Sequence, residues 1–143
     1  MRLLAVDLGE KRTGLAICDE AETFATPLMV LPGRGDLAAR IAEIAKENQV
    51  QAIVFGLAMN MDDSEGDQAR KTRAFAAEIE KTVNLPIFFQ DERLSSFAAE
   101  KTIAGRGLTR KKKKKILDAV AAAVILQSFI DDRKESKKSS QNP

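Results

Sequence analysis

The 143-residue sequence predicts an α/β domain: a mixed five-stranded sheet with helices on both faces. Three observations lead there. The first 31 residues hold three short apolar segments separated by Gly-containing and acidic turns, the pattern of antiparallel strands. From Leu37 onward the apolar period lengthens to that of a helix, and helical and extended segments then alternate. A 44% hydrophobic composition at this length suffices for one core without disulfides or structural metal. Residues 1–132 are therefore expected to form a single domain, followed by a disordered polar tail over 133–143 that contains no apolar residue.

The elements follow in order. RLLAVDL (2–8) reads as a buried strand interrupted by one carboxylate, and GEKRTG as a Gly-bounded turn into the second strand, LAICD, with Gly9 and Gly14 expected at positive-φ hairpin positions. A third strand around TFATPLMVL contains Pro27, which places it at a sheet edge. Leu37, Ile41, Ile44 and Ala45 then fall on one helical face, with Asp36 as the expected N-cap. A strand QAIVFGL, a polar loop AMNMDDSEG, a helix through ARKTRAFAAEIEKTV ended by Asn84 and Pro86, and a strand PIFFQ come next. A further helix near SSFAAEKTIAG, N-capped by Ser95 or Ser96, and a long helix from about 110 to 132 complete the pattern.

Composition excludes several chemistries. There is no histidine, so Ser/His and Cys/His triads and mixed His/Cys zinc sites are impossible. Any metal must be held by oxygen, which favours Mg²⁺ or Mn²⁺. The single cysteine, Cys18, can form no internal disulfide and points to a reducing compartment. Asp7 interrupts the N-terminal apolar run too early for a signal peptide, and no apolar stretch approaches the ~20 residues of a membrane span. A cytoplasmic protein is expected. Residues 1–100 carry 11 basic and 17 acidic side chains, a net −6, whereas residues 101–143 carry 12 and 4, a net +8. A basic flank of this kind suits a polyanion such as nucleic acid. Trp and Tyr are absent, so recognition should rest on backbone and shape rather than on base stacking.

Three acidic positions stand where carboxylates are costly. Asp7 lies inside a buried strand, where an unpaired charge costs several kcal/mol; a metal or backbone N–H groups of the following turn could compensate it. Asp91 and Glu92 end the apolar IFF strand and alternate onto opposite faces, so one enters a site and the other does not; Glu92 is preferred. Asp118 sits in a helix that is apolar around most of its circumference, with Lys111, Lys114 and Lys115 within about 60° of it. Pairing with Lys114 or Lys115 is the structural alternative to a role in a site. The basic run itself, Arg110 to Lys115, opposes the helix dipole and repels itself, so an external anion explains it better than local stability does. The acidic loop residues Asp62, Asp63, Glu65 and Asp67 lack calcium-loop spacing and read as solvated.

VDLGEKRTGLAICD, GLAMNMDDSEGDQARKTRAFAAEI, QDERLSSFAAE and LDAVAAAVILQ, in this order, resemble the four motif blocks of the YqgF/RuvX family, pre-16S rRNA nucleases and Holliday-junction-resolvase-like proteins, from residue 3 to about 130. One departure is Ala58, where the second block usually has proline after GL. The resemblance implies an RNase H-like fold with strand order 3-2-1-4-5. It implies Asp7, Glu92 and Asp118 as catalytic and metal-holding residues, Asp91 as an uncertain further ligand, and one or two Mg²⁺ or Mn²⁺ ions. Phosphate contacts are expected from Lys11, Arg12 and Arg93 near the metals and from Arg110, Lys111, Lys114 and Lys115 farther away. The expected activity is metal-dependent phosphodiester hydrolysis, in 5′-end maturation of pre-16S rRNA. Resolution of DNA four-way junctions and non-catalytic nucleic-acid binding are the alternatives. Expected partners are precursor rRNA or ribosomal particles, with the protein a monomer or weak homodimer.

Overall fold

The computed structural model describes residues 1–92 and 110–141, with backbone alone for 110–115 and 137–141. Strands β1 (Leu3–Leu8), β2 (Arg12–Cys18) and β3 (Ala25–Pro32) lead into helix α1 (Leu37–Glu47). Strand β4 (Ala52–Leu57), helix α2 (Asp67–Val83), strand β5 (Ile87–Asp91) and helix α3 (Arg110–Gln141) follow. The five strands form one sheet in the order β3-β2-β1-β4-β5. β1, β2 and β3 pair antiparallel, while β1 with β4 and β4 with β5 pair parallel, so the sheet is mixed. β3, with Pro27, is an edge strand as expected. The expected helix near SSFAAEKTIAG, with its caps at Ser95 or Ser96, lies outside the described residues. No helix among the described residues is long and apolar enough to cross a membrane.

Strand alternation sorts side chains onto two faces. Leu4, Val6, Leu8, Leu15, Ile53 and Phe55 face α1 and α2, whose apolar stripes supply Leu37, Ile41, Ile44, Ala76 and Ile79. Leu3, Ala5, Ala16, Ala52 and Val54 face α3, meeting Ala122, Ile125, Leu126, Phe129 and Ile130. The two layers differ in side-chain size. On the α3 side the sheet presents Ala5, Gly14, Ala16, Ala52 and Gly56, and the helix answers with an alanine-rich stretch, Ala121 to Ala123, so that backbone approaches backbone. This close approach brings the sheet's polar end against the third turn of α3.

The two hairpin glycines depart from expectation. Neither Gly9 nor Gly14 has a positive φ; among the described residues Gly33 is the glycine that does, at 71°. Both positions instead need the missing Cβ: at Gly9 it would overlap the carbonyl of Arg12, whose oxygen accepts the Gly9 N–H at 3.0 Å, and at Gly14 it would overlap the carbonyl of Asp118. Asp36 occupies the N-cap of α1 but in the left-handed region (φ 56°) and with no side-chain capping bond. Asn84, by contrast, ends α2 in the left-handed conformation expected of it, its N–H donating to Glu80 O. Residues 133–141 continue α3. No glycine or proline interrupts the chain between Arg110 and Gln141, and propagating an anchored helix adds one hydrogen bond per residue fixed. The anchor is Arg133: it forms an ion pair with Glu22 at 3.2 Å and lies 5.8 Å and 5.5 Å from the Phe88 and Phe129 ring centroids.

Candidate active site

The candidate site lies at the carboxyl end of the parallel strands, where open α/β sheets place their ligands. Asp7 is the penultimate residue of β1, on the α3 face by alternation with Leu3 and Ala5. Glu92 follows β5 directly and shares the face of Phe88; its N–H donates to Leu57 O at 3.0 Å, which extends the β4–β5 pairing by one residue. Gly56, between them on β4, leaves the space that Glu92 fills: a Cβ there would lie 2.7 Å from Glu92 Oε2 and 2.6 Å from Ile125 Cδ1. Asp118 enters from α3, four residues before Ala122 and so on the stripe that meets the sheet. Strand register thus brings Asp7 and Glu92 side by side, and helix packing adds Asp118.

Their electrostatics follow from burial and like charge. Burial pushes Asp7 above its ordinary value; the hydrogen bond from Glu92 opposes the shift and the Asp118 charge adds to it. Glu92 is pushed up to about 8, by burial first, then by the Asp7 charge and the hydrogen bond to Asp7, with Asp91 adding to it. Both shifts favour a protonated Glu92 that donates its hydrogen bond to Asp7. Asp118 is compensated differently: Arg12 Nε, at the start of β2, donates to Asp118 Oδ2 at 2.7 Å. Gln68 Nε2 donates to Leu8 O at 2.9 Å and ties the first turn of α2 to the carboxyl end of β1, next to Asp7.

The remaining sequence candidates divide into three. Asp91 is exposed and, with Phe89, falls on the face turned away from α3. Lys11 is exposed in the β1–β2 turn, where its carbonyl accepts the Gly33 N–H at 2.9 Å. Arg93 lies outside the described residues, as do the side chains of Arg110, Lys111, Lys114 and Lys115, whose backbone forms the first turns of α3. Sequence reasoning did not find the Arg12–Asp118 bond, the contact of Gln68 or the role of Gly56. Only Gly56 carried a signal, an isolated glycine in a buried strand being a mark of close approach.

The loop after β4 is tied by contacts of its own. Met59 and Glu65 bridge across it, Asn60 N–H donates to Ser64 O at 2.8 Å, and Ser64 N–H donates to Asp62 Oδ1 at 3.0 Å. Glu65 takes two hydrogen bonds from Arg73, whose guanidinium lies 4.6 Å from the Phe89 ring centroid. A loop with Ala58 in place of proline is thus held by its own polar side chains.

The family described as "RuvX: Holliday junction resolvase" matches residues 1–132. A protein of Anaeromyxobacter dehalogenans (strain 2CP-C) is 46% identical over 136 residues, covering 93% of this chain and 98% of its own. Proteins of Rhodobacter capsulatus (43% over 132 residues; 90% and 82% covered) and Synechococcus elongatus (41% over 138 residues; 94% and 92%) are similar as well. All three bear the provisional name pre-16S rRNA nuclease. Among solved structures, Thermus thermophilus RuvC in complex with a Holliday junction superposes with a TM-score of 0.59 at 17% identity, covering 94% of this chain and 96% of that one. The fowlpox virus Holliday junction resolvase does so with a TM-score of 0.58 at 13% identity, covering 92% and 99%. These last two are likenesses of fold, and the fold is the RNase H-like one. With a matching family model over residues 1–132 and relatives above 40% identity along nearly its whole length, the chain belongs to the RuvX family.

Proposed function

We propose that the chain is a metal-dependent endonuclease that hydrolyses phosphodiester bonds in the 5′-end maturation of pre-16S rRNA, acting in the cytoplasm on precursor rRNA or ribosomal particles. One observation carries the reading: two carboxyl groups, Asp7 and Glu92, are half-buried against each other at the carboxyl end of the sheet with Asp118 beside them. Burying like charges together without a catalytic or cation-binding use would cost several kcal/mol. The names of the relatives supply the substrate.

The donor set, all carboxylate oxygen, fits Mg²⁺ or Mn²⁺. No three acidic side chains among the described residues are drawn together as a ready cage, and Asp118 is ion-paired with Arg12. Asp7, Glu92 and Asp118 would hold the ion or ions, which when bound supply charge neutralisation and an acidified water. The protein's own residues do the rest. Glu92 releases the proton it donates to Asp7, Lys11 and Arg12 receive phosphate oxygens at the turn beyond β1, and Gln68 fixes the strand end that carries Asp7.

The test is cleavage of matched pre-16S RNA and four-way DNA junctions with and without Mg²⁺ or Mn²⁺. Metal-dependent cutting of the RNA, lowered at least about 100-fold in Asp7→Asn and Asp118→Asn with unchanged circular dichroism, is expected. Wild-type rates in both variants would overturn the reading. The family's description and its fold neighbours favour a second reading, junction resolution, which predicts the opposite substrate preference and paired, symmetric cuts.

A further inference from the structure

Of the three acids in the site, Asp118 is, among the described residues, the one ion-paired with a base, and that base is a residue suited to phosphate. Arg12 uses Nε alone for Asp118; its two Nη groups make no hydrogen bond among the described residues, so the fork that grips a phosphate from two directions is uncommitted. Both partners reach water, with 40% of the Arg12 side chain and 29% of the Asp118 side chain exposed, so the bond is exchangeable rather than locked. The backbones behind them are fixed. Arg12 opens β2 and is held in register with Pro32, and Asp118 has its carbonyl against the space left by Gly14. Exchange therefore needs only side-chain rotation.

We propose that Arg12 is a relay between substrate and metal: in the free protein it occupies Asp118, and when a phosphodiester arrives it turns to the phosphate and releases Asp118 to complete the cation site with Asp7 and Glu92. The relay rests on the nuclease reading above. It makes nucleic acid and cation bind with positive coupling, and coupling between two ligands is reciprocal. A site whose third ligand is withheld until substrate is present also holds little metal when idle.

The experiment measures Mn²⁺ binding by the full chain from the electron paramagnetic resonance of the free ion, with and without a 2′-O-methyl RNA duplex that cannot be cut. Wild type, Arg12→Gln, Lys11→Gln and Asp7→Asn are compared, with circular dichroism melts to establish folding. Lys11→Gln removes the same charge from the same turn, from a residue that makes no bond to Asp118. Without RNA, Arg12→Gln should bind Mn²⁺ about three- to tenfold more tightly than wild type, well beyond the change in Lys11→Gln. The duplex should tighten Mn²⁺ binding in wild type, and that tightening should vanish in Arg12→Gln. Equal effects of the two substitutions, or tightening that persists in Arg12→Gln, would overturn the relay alone. Mn²⁺ binding that is absent from wild type, or unchanged in Asp7→Asn, would overturn the metal site and the relay with it.

Discussion

At the residue scale, the proton that Glu92 donates to Asp7 makes stability depend on pH in a window where most acidic side chains are silent. Glu92 rises from its ordinary 4.5 to about 8 in the folded protein, because burial and the neighbouring Asp7 charge both disfavour its ionised form. The folded state therefore binds the proton more tightly than the unfolded chain, and this contribution is fully present below about pH 4.5 and lost as pH rises through about 8. Asp19, lowered to about 2 by the N–H groups of Thr23 and Phe24, acts in the opposite sense and only at more acid pH, so it does not blur the window. In the absence of divalent metal, raising pH from about 5.5 to about 8.5 should lower stability in urea titrations by up to a few kcal/mol. Glu92→Gln, which cannot ionise, should flatten that slope. A slope equal to wild type in Glu92→Gln would mean that the proton resides elsewhere. The same two residues bear on cation binding, since a cation must displace the proton on Glu92.

At the element scale, the position of Asp118 depends on how closely α3 lies on the sheet, and Gly14 sets that distance. Gly14→Ala should force α3 away from β2, at a cost of about 1–3 kcal/mol in denaturant titration, with a loss of cleavage larger than the stability change accounts for. Gly35→Ala is the contrast: a Cβ there meets nothing within 4 Å and stability should hold within about 0.5 kcal/mol. This pair of glycines also shows what the sequence could convey. Period and punctuation located the strands, the edge position of Pro27, the stop at Asn84 and the two-sided sheet, because each is a property of a few neighbouring residues. Gly14 looked like a turn glycine because its actual partner, the carbonyl of Asp118, is 104 positions away along the chain. The Arg12–Asp118 bond was illegible for the same reason. A segment without apolar residues cannot bury itself, yet it can extend a helix that Arg133 already anchors to Glu22, Phe88 and Phe129. Alternation, in contrast, was enough to separate Asp91 from Glu92, and the side of the sheet occupied by α3 then decided which of them meets Asp7.

At the scale of the whole molecule, the charge imbalance along the chain becomes a geometric arrangement. Residues 1–100, net −6, contribute Asp7 and Glu92, while residues 101–143, net +8, contribute Asp118 and the helix that begins Arg110 to Lys115. The basic run is one to two turns before Asp118 on the same helix, at about 1.5 Å per residue, so its backbone lies roughly 4–12 Å along the axis from Asp118. That is about the spacing of one or two phosphates on a strand, a reach that would let the run extend the site along a bound strand. Lysines that hold a strand in this way act on affinity through counterion release, whereas carboxylates that hold a metal act on rate. The two roles separate in one experiment. Replacing Lys111, Lys114 and Lys115 by Gln together should reduce the slope of log affinity for RNA against log salt by about 0.7 for each single-strand phosphate no longer neutralised, roughly 2 in all. Asp7→Asn, measured in parallel, should leave that slope within error of wild type while abolishing cleavage. An unchanged slope in the triple variant would make the run a solvated helix end, leaving substrate affinity to the turn that carries Lys11 and Arg12. Single replacements then rank the lysines: one that grips the strand lowers the slope by itself, and one that is merely solvated leaves both slope and affinity unmoved.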